Sequence, residues 1–229
     1  MRMQRQALWS RPWAFLARQH PSALLLFAQL LSLLIYPSMD DTNSGRLLFG
    51  AVALVVVPLA VWVVSRSPSV RWVGWLLAIP AVVLTVTGIA LDRPGLLQLS
   101  AVLEAALYFY AAGSLIAYML HDHDVSADEL FAAGATFTLL AWGFAYAFFV
   151  CQAIYPDSFY GIVEPERPRR WLELLYLSFS NLSATGLSDI VPLGSPARVL
   201  VMLEQFAGVG YIATVVSRLI GLTIIRRQR

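Results

Sequence analysis

An all-α membrane protein is the fold class that this sequence predicts, and three bulk properties indicate it. Hydrophobic residues make up 59% of the 229 residues, charged residues make up only 13%, and the mean hydropathy is +0.68. Soluble domains contain about 45–50% apolar and about 25% charged residues. A single cysteine, 14 glycines and 12 prolines exclude a disulfide scaffold and a collagen-like chain, and a net charge of +2 argues against a nucleic-acid partner.

Six apolar stretches predict six helices that cross a hydrocarbon core of about 30 Å. They are predicted over Ser22–Tyr36, Leu47–Val64, Trp72–Leu91, Leu97–Leu120, Leu130–Ile154 and Ala197–Ile225. The first stretch is the shortest. We assign it to the mature chain and not to a signal peptide, because its leader is long and no small-residue cleavage site follows it.

The distribution of arginine predicts the orientation of these helices. With a cytoplasmic N-terminus, the inner segments carry nine arginines and the outer segments carry six, as the positive-inside rule requires. We therefore expect a multi-pass protein of the cell membrane with both termini in the cytoplasm. Residues 1–21 mix tryptophan, phenylalanine and arginine, a composition that predicts an interfacial leader in contact with the lipids of the inner leaflet.

A polar stretch, residues 121–129, predicts a cytoplasmic linker that divides the chain into two parts. Residues 22–120 form a predicted bundle of four helices. A voltage sensor needs regularly spaced arginines in its fourth helix, and Leu97–Leu120 contains none. Residues 130–229 form the second part, with a polar external loop and a short apolar segment between its two long helices.

That short apolar segment and the polar residues after it form the candidate functional site of the sequence. Residues 171–182 predict a helix too short to cross the membrane, and residues 183–189 are small and polar. Irregular backbone at membrane depth is tolerated only where it is buried in protein or lines a water-filled path. The C-terminal end of such a helix favours a cation, and the carbonyls of the loop can replace the hydration shell of the ion.

Residues 183–192 resemble the potassium-channel signature, which is Thr-Val-Gly-Tyr-Gly-Asp with a proline three residues later. In this chain the segment reads Ser183-Ala-Thr-Gly-Leu-Ser-Asp-Ile-Val-Pro192. The resemblance covers about Leu130–Leu222. This part of the chain is similar to prokaryotic ion-channel proteins of the two-transmembrane pore superfamily. The resemblance implies a pore module over 130–229, with an outer helix, a pore helix (171–182), a selectivity filter (183–189) and an inner helix (197–225). It also implies a homotetramer that conducts monovalent cations passively, with potassium as the expected ion and sodium as the alternative. Neither an enzyme nor a cofactor or bound metal is expected.

The filter implied by the resemblance departs from the signature. Its residues are Ser183, Ala184, Thr185, Gly186, Leu187, Ser188 and Asp189. Ala184 supplies no hydroxyl, and Leu187 replaces the tyrosine that helps to brace the filter. Ser188 replaces the second glycine, where a left-handed backbone would cost about 1–2 kcal/mol. We therefore expect weak or atypical selectivity, and a non-conducting membrane scaffold remains the alternative.

The resemblance also assigns supporting and gating roles. Filter support is expected from Tyr176, Ser180, Asn181 and Glu204. Of these, Glu204 is expected to brace the pore helix through Ser180 or Asn181, and the alternative is that it tunes the field at the ion. Gly208 occupies the hinge position of the inner helix, and both Gly208 and Gly210 are small residues that permit a bend or close packing. The pore lining and gate are Ile212, Val216, Ile220 and Ile224, spaced by four residues on one helix face, which predicts a hydrophobic gate that voltage does not operate.

Two polar features of the sequence each allow two interpretations. Glu104 lies within a predicted span, so it is either a functional site or a hydrogen-bonded structural carboxyl. His121-Asp-His-Asp124 is either a zinc or proton site or a solvated connector, because residues at i and i+2 do not share a helix face. An intramembrane protease is not expected, since every histidine lies at a predicted membrane edge and every aspartate lies in a loop.

Overall fold

The computed structural model describes residues 20–36, 56–62, 71–121, 127–164 and 167–227. Nearly all of the predicted leader, most of the second predicted span and residues 122–126 of the predicted linker lie outside these ranges. The side chains of Val216 and Ile224, two of the predicted gate positions, are also outside the described part of the chain.

Six long elements and two short ones give the described chain its architecture. The helices are α1 Pro21–Ile35, α2 Arg71–Ala90, α3 Pro94–His121, α4 Ala127–Ile154, α5 Trp171–Leu182 and α6 Ser195–Arg227, and the strands are β1 Phe159–Gly161 and β2 Ile190–Pro192. Residues 56–62 are helical as well.

Four of the described helices, α2, α3, α4 and α6, are long and apolar enough to cross a membrane. This finding supports a mostly helical membrane protein and makes four of the predicted spans candidate membrane-spanning helices. Helix α1 has 15 residues, about 22 Å at 1.5 Å per residue, which is less than the thickness of the hydrocarbon core. Its crossing stays a prediction, as does that of the second predicted span.

Three helices begin two or three residues before their predicted boundaries, and the residues of their first turns explain why. Helix α3 begins at Pro94, and Pro196 lies in the first turn of α6. Proline suits a helix start, because its fixed φ is already helical and its missing N–H has no partner there anyway. Helix α4 has Asp128 and Glu129 in its first turn, where carboxylates interact favourably with the helix dipole.

Helix α4 is the centre of the fold. Residues 138–146 are buried without interruption, so every face of this part of the helix is covered. It packs against α1, α3, α5 and α6. Tyr108 of α3 stacks on Tyr146 at 5.7 Å between ring centroids and meets Trp142 edge-on at 5.5 Å. The two predicted parts of the chain therefore share one core across α4.

Two carboxylates join the start of α4 to two other helices. Asp128 accepts hydrogen bonds from the N–H of Ser22 at 3.1 Å and from its hydroxyl at 2.9 Å, in the first turn of α1. Glu129 forms an ion pair of 2.8 Å with Arg218 of α6. These contacts fix α1 and the second half of α6 to the same turn of α4.

The strands β1 and β2 form an antiparallel pair, with Gly161 opposite Ile190 and Phe159 opposite Pro192. Sequence analysis predicts only a polar loop before α5, because a three-residue strand is shorter than the alternation that identifies strands. The pair connects the segment after α4 to the segment after the loop 183–189, and it therefore lies directly beside the candidate site.

Candidate functional site

Helix α5 occupies the range predicted for a re-entrant helix, and a charged network fixes its start. Arg170 is extended, with φ −74° and ψ 159°, and its N–H donates to Glu173 Oε2 at 2.7 Å. The guanidinium of Arg167 donates to both oxygens of Glu173, at 2.6 and 2.9 Å. Hydrogen bonds to Glu173 and Glu164 raise the pKa of Arg167. The carboxylate of Glu173 thus accepts the N–H of Arg170 at the positive end of the helix dipole.

Helix α5 ends in a turn that folds the following residues back onto it. The N–H of Ala184 donates to the carbonyl of Asn181 at 3.0 Å, and the N–H groups of Thr185 and Gly186 both donate to the carbonyl of Ser180, at 3.1 and 3.2 Å. Ala184 and Gly186 are left-handed, with φ of 59° and 67°. A left-handed residue directly after a helix is the usual way to redirect the chain at a C-terminus.

The left-handed residue with a Cβ in this loop is therefore Ala184, and Ser188 does not meet the condition under which its Cβ would be costly. Among the described residues with positive φ, Ala184 is present and Ser188 is not. The position is set by where α5 ends, because the cap needs its left-handed residue immediately after the last turn. The hydroxyl of Ser188 accepts a hydrogen bond of 3.1 Å from the N–H of Ile190.

Replacing Ala184 with glycine should stabilise the protein by about 1 kcal/mol, because glycine adopts a left-handed backbone without the Cβ penalty. The unfolding midpoint in detergent measures the effect. Ala213→Gly is the matched control, since Ala213 is an exposed residue inside α6 and glycine there should destabilise by about 1 kcal/mol. A lower midpoint for Ala184→Gly would contradict the left-handed assignment.

The loop after this turn presents unpaired backbone carbonyls. Within the described chain, the carbonyl oxygens of Ala184, Thr185, Gly186 and Leu187 accept no hydrogen bond, and all four residues are exposed in the single chain. The hydroxyls of Ser183 and Thr185 lie 3.0 Å apart at the start of the same loop, and Asp189 is exposed at its end. The arrangement offers oxygen ligands to a cation.

Behind the turn, Glu204 of α6 is fully buried, at 0% exposure. Its Oε2 accepts a hydrogen bond of 3.2 Å from Asn181, and its Oε1 accepts one from the hydroxyl of Ser178. The oxygen of Ser178 also lies 2.8 Å from the carbonyl of Ala141 in α4. One carboxyl thus connects α6 to α5, and through Ser178 to α4.

Asn181 is one of the two alternative partners expected for Glu204, and the side chain of Ser180, the other alternative, makes no hydrogen bond to it in the described chain. The hydroxyl of Ser180 is buried without a partner in the described chain, and it is the carbonyl of Ser180 that holds the turn. Ser178 was missed as a partner. Its signal in the sequence is its position three residues before Asn181, which puts both side chains on one face of α5.

Gly208 of α6 lies against the last turn of α5. A Cβ at Gly208 would be 2.2 Å from the carbonyl oxygen of Leu182, whereas a Cβ at Gly210 would meet nothing within 4 Å. Helix α6 runs through both glycines as one helix, Ser195–Arg227. In this structure Gly208 therefore packs closely, which is one of the two roles expected of this small residue, and its role as a hinge stays a prediction.

Tyr176, Ile212 and Ile220 are the other predicted site residues whose side chains the structure describes. Tyr176 was expected to support the filter, but its side chain is 52% exposed on the open face of α5, and it makes no hydrogen bond to the loop within the described residues. Ile212 and Ile220 are 38% and 56% exposed on α6, as residues that line a pore in an assembly would be in the single chain.

Glu104 lies in the helical bundle, where it is 2% exposed. It accepts a hydrogen bond of 2.8 Å from the hydroxyl of Thr85 and so joins α3 to α2. The contact gives this carboxyl a structural partner, and a functional role stays a hypothesis. Of the predicted His121–Asp124 feature, the described residues include only His121.

Comparison with known proteins identifies the same part of the chain. Residues 134–224 match a family model described as an ion channel. The match begins within α4, includes α5 and the loop 183–189, and ends near the end of α6. No curated protein and no solved structure matches the chain. The family match supports an ion-channel domain over this part of the chain and points to a channel role for it.

Proposed function

We propose that this protein is a passive channel for monovalent cations, formed by four copies of the chain around the loop 183–189. The observation that carries the proposal is the row of unpaired carbonyls at residues 184–187, placed directly after the C-terminal end of α5. The negative end of the helix dipole and the carbonyl oxygens favour the same ligand, a cation without its hydration shell.

A homotetramer follows from the number of loops, because one loop supplies only one quarter of a carbonyl ring. The exposed face of α6 supports assembly. Its large apolar side chains are uncovered in the single chain, and they are Val199, Met202, Leu203, Phe206 and Val209, with Phe206 at 81% exposure. Soluble monomers rarely expose a continuous apolar surface of this kind, so other subunits and membrane lipids are its natural partners.

Weak or atypical selectivity follows from the side chains of the loop. Ala184 brings no hydroxyl to the innermost position, and the hydroxyl of Thr185 is held by the carbonyl of Ser180 at 3.2 Å. Backbone carbonyls remain as the main ligands. Potassium is the expected permeant ion, and we expect sodium to pass as well.

The proposed channel has six crossings in the cell membrane, with α5 as a re-entrant helix and both termini in the cytoplasm. Residues 155–170 and the strands β1 and β2 then lie on the external side. The side chains of Ile212 and Ile220 line the inner part of the pore and close it by excluding water. Helix α3 contains no arginine, so voltage does not operate this gate.

Ion flux from proteoliposomes tests the proposal. Vesicles that contain the purified protein and a potassium gradient should lose the gradient, whereas empty vesicles should keep it. Native mass spectrometry in detergent should show tetramers, and only monomers or dimers would overturn the pore. Absence of flux in the wild type, together with flux after Ala184→Thr and Ser188→Gly, would favour a non-conducting scaffold.

A further inference from the structure

The outer end of the loop 183–189 is hydrogen-bonded to the segment that follows α4. The N–H of Ile162 donates to the carbonyl of Asp189 at 3.1 Å, and the N–H of Leu193 donates to the carbonyl of Ser158 at 2.9 Å. These bonds extend the β1–β2 pair in both directions, to residues 158–162 on one side and 189–193 on the other. The last residue of the loop therefore belongs to this ladder.

Arg169 fixes the chain that follows β1. Its side chain donates to three carbonyls, those of Val163 at 3.1 Å, Glu164 at 2.5 Å and Arg167. Its backbone is held by the side chain of Gln152, which accepts from the N–H at 2.7 Å and donates to the carbonyl at 3.0 Å. Since Gln152 belongs to α4, Arg169 connects the external segment to the central helix of the fold.

Gly161 gives the guanidinium of Arg169 the space that it occupies. A Cβ at Gly161 would lie 2.0 Å from Nη1 of Arg169, and Arg169 is itself only 2% exposed. Gly161 is also the residue of β1 that pairs with Ile190. A side chain at this position would therefore displace either the guanidinium or the strand that holds Asp189.

The two ends of the loop are held by different parts of the molecule. At the inner end, the carbonyl of Ser180 holds Thr185 and Gly186 against α5. Toward the outer end, Leu187 is 71% exposed and makes no hydrogen bond in the described chain, and the hydroxyl of Ser188 contacts only the nearby N–H of Ile190. The position of the outer carbonyls therefore depends on residues 158–162.

We propose that Arg169 and Gly161 are positioning residues for ion selectivity, acting through β1 on residues 187–189. The inference rests on the proposed channel function and deepens it. Discrimination between potassium and sodium depends on the number and geometry of the coordinating carbonyls. A shift of β1 changes that geometry at the outer end of the loop and leaves the inner end attached to α5.

The test compares Arg169→Lys, which keeps the charge but loses the forked contacts, with Gly161→Ala, which introduces the clash. Arg93→Lys and Gly95→Ala are the matched controls, because Arg93 is exposed and a Cβ at Gly95 meets nothing within 4 Å. The reversal potential between potassium and sodium solutions measures the permeability ratio and does not depend on how many channels are folded. Both test variants should change the ratio by about threefold or more, and the controls should not.

Hydrogen exchange measures the same link without any current. The amide of Ile162 should be protected in the wild type and should exchange faster in Arg169→Lys and Gly161→Ala, but not in the controls. A wild-type current with an unchanged permeability ratio in both test variants would overturn this inference and leave the channel intact. An unprotected Ile162 amide in the wild type would also overturn it, and no wild-type current at all would overturn the proposed function together with the selectivity role.

Discussion

Replacing Gly208 with alanine should destabilise the protein by about 3 kcal/mol or more, a large cost for one methyl group. The new Cβ would be 2.2 Å from the carbonyl oxygen of Leu182 and 2.9 Å from the carbonyl carbon and Cα of the same residue. Backbone cannot move aside as a flexible side chain does. Displacing Leu182 would also displace the turn at residues 183–186, which is built on the last carbonyls of α5.

Gly210→Ala is the control for this prediction, because the same methyl group is added two residues away where nothing lies within 4 Å. Alanine favours a helix over glycine by about 1 kcal/mol, so this variant should be neutral or more stable. Thermal unfolding in detergent and the tetramer fraction measure both variants. If Gly208→Ala unfolds at the same temperature as the wild type, the contact between α6 and Leu182 is not as close as the structure has it.

Much of the helical framework could be predicted because it depends on local composition. The helices α2, α3, α4 and α6 each contain a long, predominantly apolar stretch, and such stretches indicate membrane spans whatever they pack against. The range predicted for the re-entrant helix, 171–182, is the range of α5. Its start is fixed locally by Glu173, and its end by the small polar residues that follow.

The parts that could not be predicted depend on contacts between residues far apart in the sequence. The contact of Gly208 with Leu182 and the hydrogen bond from Ser178 to Glu204 each join α5 to α6. Periodicity shows which residues share a face of one helix, but not which face of another helix they meet. The position of Gly208 in the family motif therefore suggested a hinge, while its environment in this fold requires a residue without a Cβ.

The external segment shows the same limit. Arg169 is one of two adjacent arginines in a polar loop, and nothing in the sequence distinguishes it from Arg170. In the structure the side chain of Arg169 is buried and donates hydrogen bonds to carbonyls, whereas Arg170 is exposed. Long charged side chains are rarely buried unless they are paired, so an arginine buried with its guanidinium on three carbonyls indicates that the loop is built around it.

Replacing Glu204 with leucine should be the second most damaging change, at about 1–3 kcal/mol, because it leaves the buried amide of Asn181 without this acceptor. The amide of Asn181 would lose its bond of 3.2 Å, and the hydroxyl of Ser178 would keep only the carbonyl of Ala141. Glu204→Gln should cost less than about 1 kcal/mol. Its amide oxygen can accept from Asn181 and its amide nitrogen can donate to Ser178, so every group keeps a partner.

The comparison of these two variants separates hydrogen bonding from charge. Thermal unfolding in detergent should show a clear loss for Glu204→Leu and almost none for Glu204→Gln. Gln205→Leu is the control for adding leucine to α6, since Gln205 is exposed beside the buried Glu204 and its replacement should leave the midpoint nearly unchanged. Equal damage from leucine and glutamine at position 204 would mean that the negative charge stabilises the site. No damage from leucine would mean that the contacts with Ser178 and Asn181 do not hold α5 against α6, and the loop 183–189 would then depend on Gly208 packing alone.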